Sequence, residues 1–144
     1  MFIEETLYRE IIKVFPIPCV DLMIENENGE LLLLKRRNNP AKGFWWFPGG
    51  RVLKDESRKL AAERKLKEEC GITAYHSIEE VGTYDLLLEM PGGEVSHGIT
   101  TVFRIKISCQ EIQLDSQSES FEWKNVNLID SKNYHDFIVN LSKL

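Results

Sequence analysis

Glu68 and Glu69 stand side by side at the end of a predicted helix that closes on Gly71. The negative end of the helix macrodipole disfavours a carboxylate there by roughly 0.3–1 kcal/mol, so some cation must offset the pair. Arg64 and Lys65, one turn earlier, are i,i+4 partners that can do so on a solvated face. A further supply of cations lies upstream, where residues 35–43 carry Lys35, Arg36, Arg37 and Lys42 just ahead of the Gly49-Gly50 pair and Arg51. Arginine forks match the oxygens of phosphate. The two carboxylates offer only oxygen, and a backbone carbonyl of the glycine turn adds another. Such a set suits a hard divalent cation, Mg²⁺ or alternatively Mn²⁺, and no cysteine and histidine spacing of the zinc type is present. Carboxylates facing arginines describe a place where a metal and guanidinium groups together neutralise a diphosphate.

Such a site needs a strand, a glycine turn and a helix in that order, and the chain supplies them. The 144 residues, 42% of them hydrophobic, fit one domain spanning 1–144, able to bury about 70% of its unfolded surface. No apolar run is long enough for a membrane span, and the start Met1-Phe2-Ile3-Glu4-Glu5 is acidic, which predicts a cytoplasmic protein. Cys19, Cys70 and Cys109 are odd in number and lack metal-type spacing, and read as small buried thiols of a reducing compartment. The net charge of −5 argues against nucleic acid as a bulk partner.

Residues 4–14 read as an amphipathic helix stopped by Pro16 and Pro18. A hairpin follows, with strands over 19–25 and 30–35 joined at Asn28-Gly29. Asp21 interrupts the first strand's apolar run, either on a wet face or held for a purpose. Residues 56–71 form the central helix. Strands are expected over 78–89 and 99–107, the second with one polar face, then a polar loop over 115–120. A final helix bears Tyr134, Phe137, Ile138 and Leu141 and is capped near Asp130-Ser131. The pattern is α/β (α+β): a mixed sheet with helices on both sides.

The full spacing adds a resemblance. Read from Gly50 there are five residues to Glu56, seven to Arg64, then Leu66, Glu68, Glu69, Gly71 and Ile72. This resembles the signature of the Nudix hydrolases, except that Lys65 stands where that family usually has a glutamate. Over most of its length, from Met1-Phe2 to Trp123, the chain further resembles the GDP-mannose mannosyl hydrolase branch. The matching stretches include Asp21, Gly29-Glu30, Lys35-Arg36, Asn39-Pro40-Ala41, Gly43-Phe44-Trp45, Pro48-Gly49-Gly50-Arg51-Val52 and Lys54-Asp55-Glu56. The resemblance implies an α/β/α sandwich, often dimeric. It also implies Mg²⁺-dependent cleavage of the sugar C–O bond of a nucleoside diphosphate sugar, GDP-mannose or GDP-glucose. By the same match, the Gly49 carbonyl, Glu69 and Gln117 coordinate the metal, with Glu68 adding to the shell. Arg36 and Arg51 assist the leaving nucleotide, Asp21 steadies positive charge on the sugar, and Glu56 pairs with Arg64 to brace the turn of Gly50.

The chain departs from that branch at Ser118, which takes the place of its histidine general base. A serine hydroxyl is a poor base near neutral pH, and a missing base costs roughly 10²–10⁴ in rate. His97 is the expected replacement and Glu119 the second; His76 and His135 read as structural or exposed. Two other readings remain open. One is a Nudix pyrophosphatase that cleaves P–O in a nucleotide or nucleotide sugar. The other is a non-catalytic domain that binds a nucleotide sugar, since neither Lys65 nor Ser118 is a base.

Overall fold

The computed structural model describes residues 3–144, so Met1 and Phe2 of the expected resemblance lie outside the described residues. One seven-stranded mixed sheet carries the molecule, and the helices flank it as expected. Helix α1 (Glu5–Val14) leads into β1 (Ile17–Glu25) and β2 (Glu30–Arg36), followed by the short β3 (Trp45–Trp46) and β4 (Gly49–Arg51). Helix α2 (Arg58–Cys70) precedes the long hairpin of β5 (Ser77–Glu89) and β6 (Val95–Lys106). The chain ends with β7 (Ser118–Asn125), a 3-10 turn and α3 (Asp136–Ser142).

The sheet order is β3-β2-β1-β6-β5, with β4 pairing antiparallel to β1 and β7 to β2. Strands β1 and β6 run parallel through the middle, Asp21 opposite Val102. Alternation along β1 sends Val20, Leu22 and Ile24 to a core under α2, where Ala61, Ala62, Leu66 and Cys70 meet them. Met23 points the other way, to a second core with Trp46, Phe47, Val102 and the α3 residues Ile138, Val139 and Leu141. Burying an apolar face on each side of one sheet is what makes the three layers cohere.

Several local expectations are corrected. The strand expected over 99–107 starts earlier, at Val95, and lies inside the sheet, where Thr100 and Thr101 point to opposite faces. Thr100 and Thr101 are buried and satisfied, Thr100 by Asp21 and Thr101 by Arg58. The loop expected over 115–120 gives way to strand at Ser118, because β2 offers a partner edge there. The last helix is capped by His135, whose Nδ1 accepts from Phe137 N–H, while Asp130 closes the preceding turn by accepting from Lys132 and Asn133. Cys70 is buried, but Cys19 is only half-buried and Cys109 is exposed. Among the described residues no helix is long and apolar enough to cross a membrane.

Candidate active site

The site is built where β4 meets β1. A Cβ at Gly49 would lie 2.2 Å from the Val20 carbonyl oxygen, so only glycine lets β4 lie this close to β1. From there the chain turns through Asp55, whose φ of 67° is left-handed, to Ser57. The Ser57 hydroxyl accepts from Leu60 N–H at 3.1 Å and starts α2. Gly71, at φ 68°, ends the helix and sends its amide back to Leu66 and Lys67 carbonyls.

A clamp fixes that turn. Arg64 makes a two-pronged contact with Glu56, Nε to Oε2 at 2.7 Å and a terminal nitrogen to Oε1 at 3.0 Å. It also donates to the Arg51 carbonyl at 2.9 Å, and Glu56 accepts from Leu53 N–H. The Arg64 hydrogen bonds hold the Glu56 carboxyl below its ordinary range, despite an opposing burial effect.

The two glutamates part company. Glu68 stays 48% exposed and is tied to Arg64 at 3.1 Å. Glu69 is only 8% exposed. Its Oε2 accepts from Gly49 N–H at 2.8 Å, and its Oε1 lies 3.7 Å from Lys65 Nζ. Burial pushes its carboxyl up to about 7, against the pull of Lys65 and of the Gly49 amide. An i,i+1 step on a helix turns a side chain by about 100°, which is why neighbours of identical chemistry differ so much in burial.

A cleft of about 650 Å³ opens in front of Glu69. It is lined by Asp21, Arg36, Arg51, Lys65 and Gln117, with Gly49 and Gly50, and by the larger side chains Tyr8, Trp46, Leu86 and Leu88. Asp21 resolves as held rather than wet: it is buried and accepts from Thr100 Oγ1 at 2.6 Å. Burial pushes it up to about 6, with the Thr100 hydrogen bond and Arg36 opposing. Arg36 is oriented by donating to the Pro40 carbonyl at 2.7 Å, and the Arg51 guanidinium lies 5.0 Å from the Tyr8 ring centre. Gln117 joins the rim through Asn38, which donates to its Oε1 at 3.0 Å. Ser118 is buried beside it. Tyr8 and Trp46 carried no signal of this kind in the sequence; only the fold brings them to the cleft.

Three expected roles fail on geometry. His97 does not reach the cleft: Ser96, Gly98 and Thr100 line it, so alternation along β6 sends the imidazole to the opposite face, 3.1 Å from Asp85. Glu119 is turned to solvent by the same rule, since Ser118 faces inward. Glu68 is not among the residues that line the cleft, and its Oε2 meets the site only through Lys65 Nζ at 3.4 Å.

The Mg²⁺ site expected from Gly49, Glu69 and Gln117 also meets a misfit. Glu69 has one oxygen taken by the Gly49 amide, and the other faces an ammonium. Among the described residues no three acidic, histidine or cysteine side chains are grouped so as to hold a metal ion, so an ion there would rely on the Gly49 carbonyl and the Gln117 amide besides Glu69. As arranged, the side chains do not form a ready-made divalent site.

The comparisons with known proteins accord with this architecture. The NUDIX domain model matches residues 16–140. The chain belongs to the Nudix family. A relative in Haloferax volcanii, the low-salt glycan biosynthesis protein Agl8, is 32% identical over 119 residues, covering 80% of this chain and 74% of its own. The ADP-ribose pyrophosphatase of Methanocaldococcus jannaschii is 34% identical over 113 residues, covering 78% of this chain and 63% of its own. Among solved structures, the MutT protein of Methanosarcina mazei superposes with a TM-score of 0.74 at 25% identity, over 90% of this Nudix chain and 93% of that one.

Proposed function

We propose that this Nudix domain hydrolyses a nucleoside diphosphate sugar at the sugar C–O bond, releasing a nucleoside diphosphate and free sugar. The observation that carries the reading is the meeting of Asp21, Arg36 and Arg51 in one cleft beside Glu69. Those residues come from β1, the end of β2 and β4. GDP-mannose and GDP-glucose are the substrates to which the resemblance points, and Agl8, a relative named for glycan biosynthesis, supports sugar-nucleotide chemistry.

Arg36 and Arg51 face the diphosphate and offset the charge that grows on its terminal oxygen as the bond breaks. Asp21, ionised above a pH of about 6, balances the positive charge on the anomeric carbon. Water attacks that carbon, its oxygen becomes the new sugar hydroxyl, and the bonding pair leaves with the diphosphate. With His97 and Glu119 turned away, the water's proton goes to Glu69, held near neutral protonation by burial. The aliphatic and aromatic side chains of the lining, Tyr8, Leu86 and Leu88 among them, offer surface to the nucleoside. A divalent ion carried in with the nucleotide would supply charge neutralisation on its phosphates.

Cleavage at phosphorus is a second reading, favoured by the 34% identical ADP-ribose pyrophosphatase. Hydrolysis in ¹⁸O-labelled water separates the two. Label in the sugar with a nucleoside diphosphate product is the expected result. Label in phosphate with a monophosphate product would move the reaction to phosphorus, and tight binding without turnover would make the domain a receptor.

A further inference from the structure

Lys65 is the one cation in the cleft whose charge is directed at the helix end rather than at the open space. Its Nζ lies 3.4 Å from Glu68 Oε2 and 3.7 Å from Glu69 Oε1, bridging both carboxylates of the last turn. The stem is pressed against the glycine pair: a Cβ at Gly50 would fall 2.6 Å from Lys65 Cε and 3.0 Å from Cδ. The side chain is only 13% exposed. Glu68 has Arg64 as an independent partner at 3.1 Å, whereas the Oε1 of Glu69 has no other cation in contact among the described ion pairs.

We propose that Lys65 is a resident counter-ion, its ammonium holding the place at the last turn of α2 that a free divalent cation would otherwise fill. The helix end requires positive charge for its two carboxylates, and the chain provides it covalently. A divalent ion approaching Glu69 must displace or lie beside a like charge in a partly dehydrated pocket, where repulsion is strong. In the absence of nucleotide the protein therefore takes up a free divalent ion poorly. This inference rests on the placement of Glu69 in the site and not on which bond is cleaved.

The test uses the full chain without nucleotide. Free Mn²⁺ is followed by electron paramagnetic resonance during titration, and thermal unfolding is recorded with and without Mn²⁺. Lys65→Met removes the charge at similar length, and Lys65→Glu reverses it. Mn²⁺ affinity is expected to rise by about tenfold or more in Lys65→Met and further in Lys65→Glu. Both variants should gain a Mn²⁺-dependent rise in Tm that the unsubstituted protein lacks. If Lys65→Glu does not fold without metal, folding on Mn²⁺ addition supports the proposal, and failure to fold with Mn²⁺ leaves the decision to Lys65→Met. Equal Mn²⁺ affinity in the unsubstituted protein and a folded Lys65→Met would overturn it. Neither readout involves turnover, so a wrong substrate or a wrong bond leaves the outcome intact.

Discussion

On the outer side of α2, Arg64 ties Glu56 and Glu68 together at the solvent boundary; on its inner side, Lys65 and Glu69 are enclosed against the glycine pair. Both clusters pair glutamates with a cation from adjacent positions of the same helix, Arg64 and Lys65. Outside, the two-pronged hydrogen bonds of Arg64 win, and Glu56 is held below its ordinary range. Inside, loss of water wins, and Glu69 is pushed up to about 7 although a lysine and an amide pull the other way. The outer cluster is a structural tie. The inner one holds a costly charge in readiness, as groups that must exchange a proton do.

The sharpest way to break this contrast is Glu69→Gln. It is expected to reduce kcat by roughly 10²–10⁴ while far-ultraviolet circular dichroism stays unchanged. Retained activity would remove Glu69 from the proton-transfer role.

The next effect concerns pH. A carboxyl whose folded value exceeds its ordinary 4.5 contributes stability that is fully present below 4.5 and is lost as pH rises through about 7. Glu56, shifted down, does the reverse: its contribution is present above 4.5 and lost as pH falls through its folded value. The unfolding free energy of the metal-free protein, read from urea titrations, should therefore drop between pH 4.5 and 7, with at most about 3 kcal/mol of the fall from Glu69 and a further part from Asp21, which burial pushes up to about 6. Glu69→Gln should lessen that fall. An unaltered slope in the variant would place its origin elsewhere.

Arg64→Ala comes third. It leaves Glu56 with fewer partners and releases the Arg51 carbonyl, so a loss of about 2 kcal/mol is expected in chemical denaturation. Glu68→Gln is the smallest, under about 0.5 kcal/mol, because its pair with Arg64 lies near solvent. A large loss there would erase the distinction between the two sides.

Much of this was legible in the sequence for physical reasons. A helix over 56–71 closing on Gly71 follows from local spacing, as does the Arg64–Glu68 pair, while the Glu56–Arg64 clamp was legible only through the family resemblance. Asp21 stood out because a carboxylate among Val20, Leu22 and Met23 has to be explained. Roles that depended on side-chain direction were not legible. His97 and Ser96 differ by one step along β6, and the starting residue of a strand decides which of them faces the cleft. Likewise, Glu68 and Glu69 cannot be told apart until the helix is docked on β1. The part played by Tyr8 arises only from the return of α1 over β4, a long-range contact without local signature.

Gly49 has a double dependence. The sheet depends on its missing side chain, since any Cβ there collides with the Val20 carbonyl, and the cleft depends on its amide, which any residue but proline would supply, since that amide anchors Glu69. A descendant that abandoned catalysis would thus keep the glycine for architecture while its glutamate drifted. Gly49 is bound to the architecture of β4 and β1 whatever Glu69 does in the cleft.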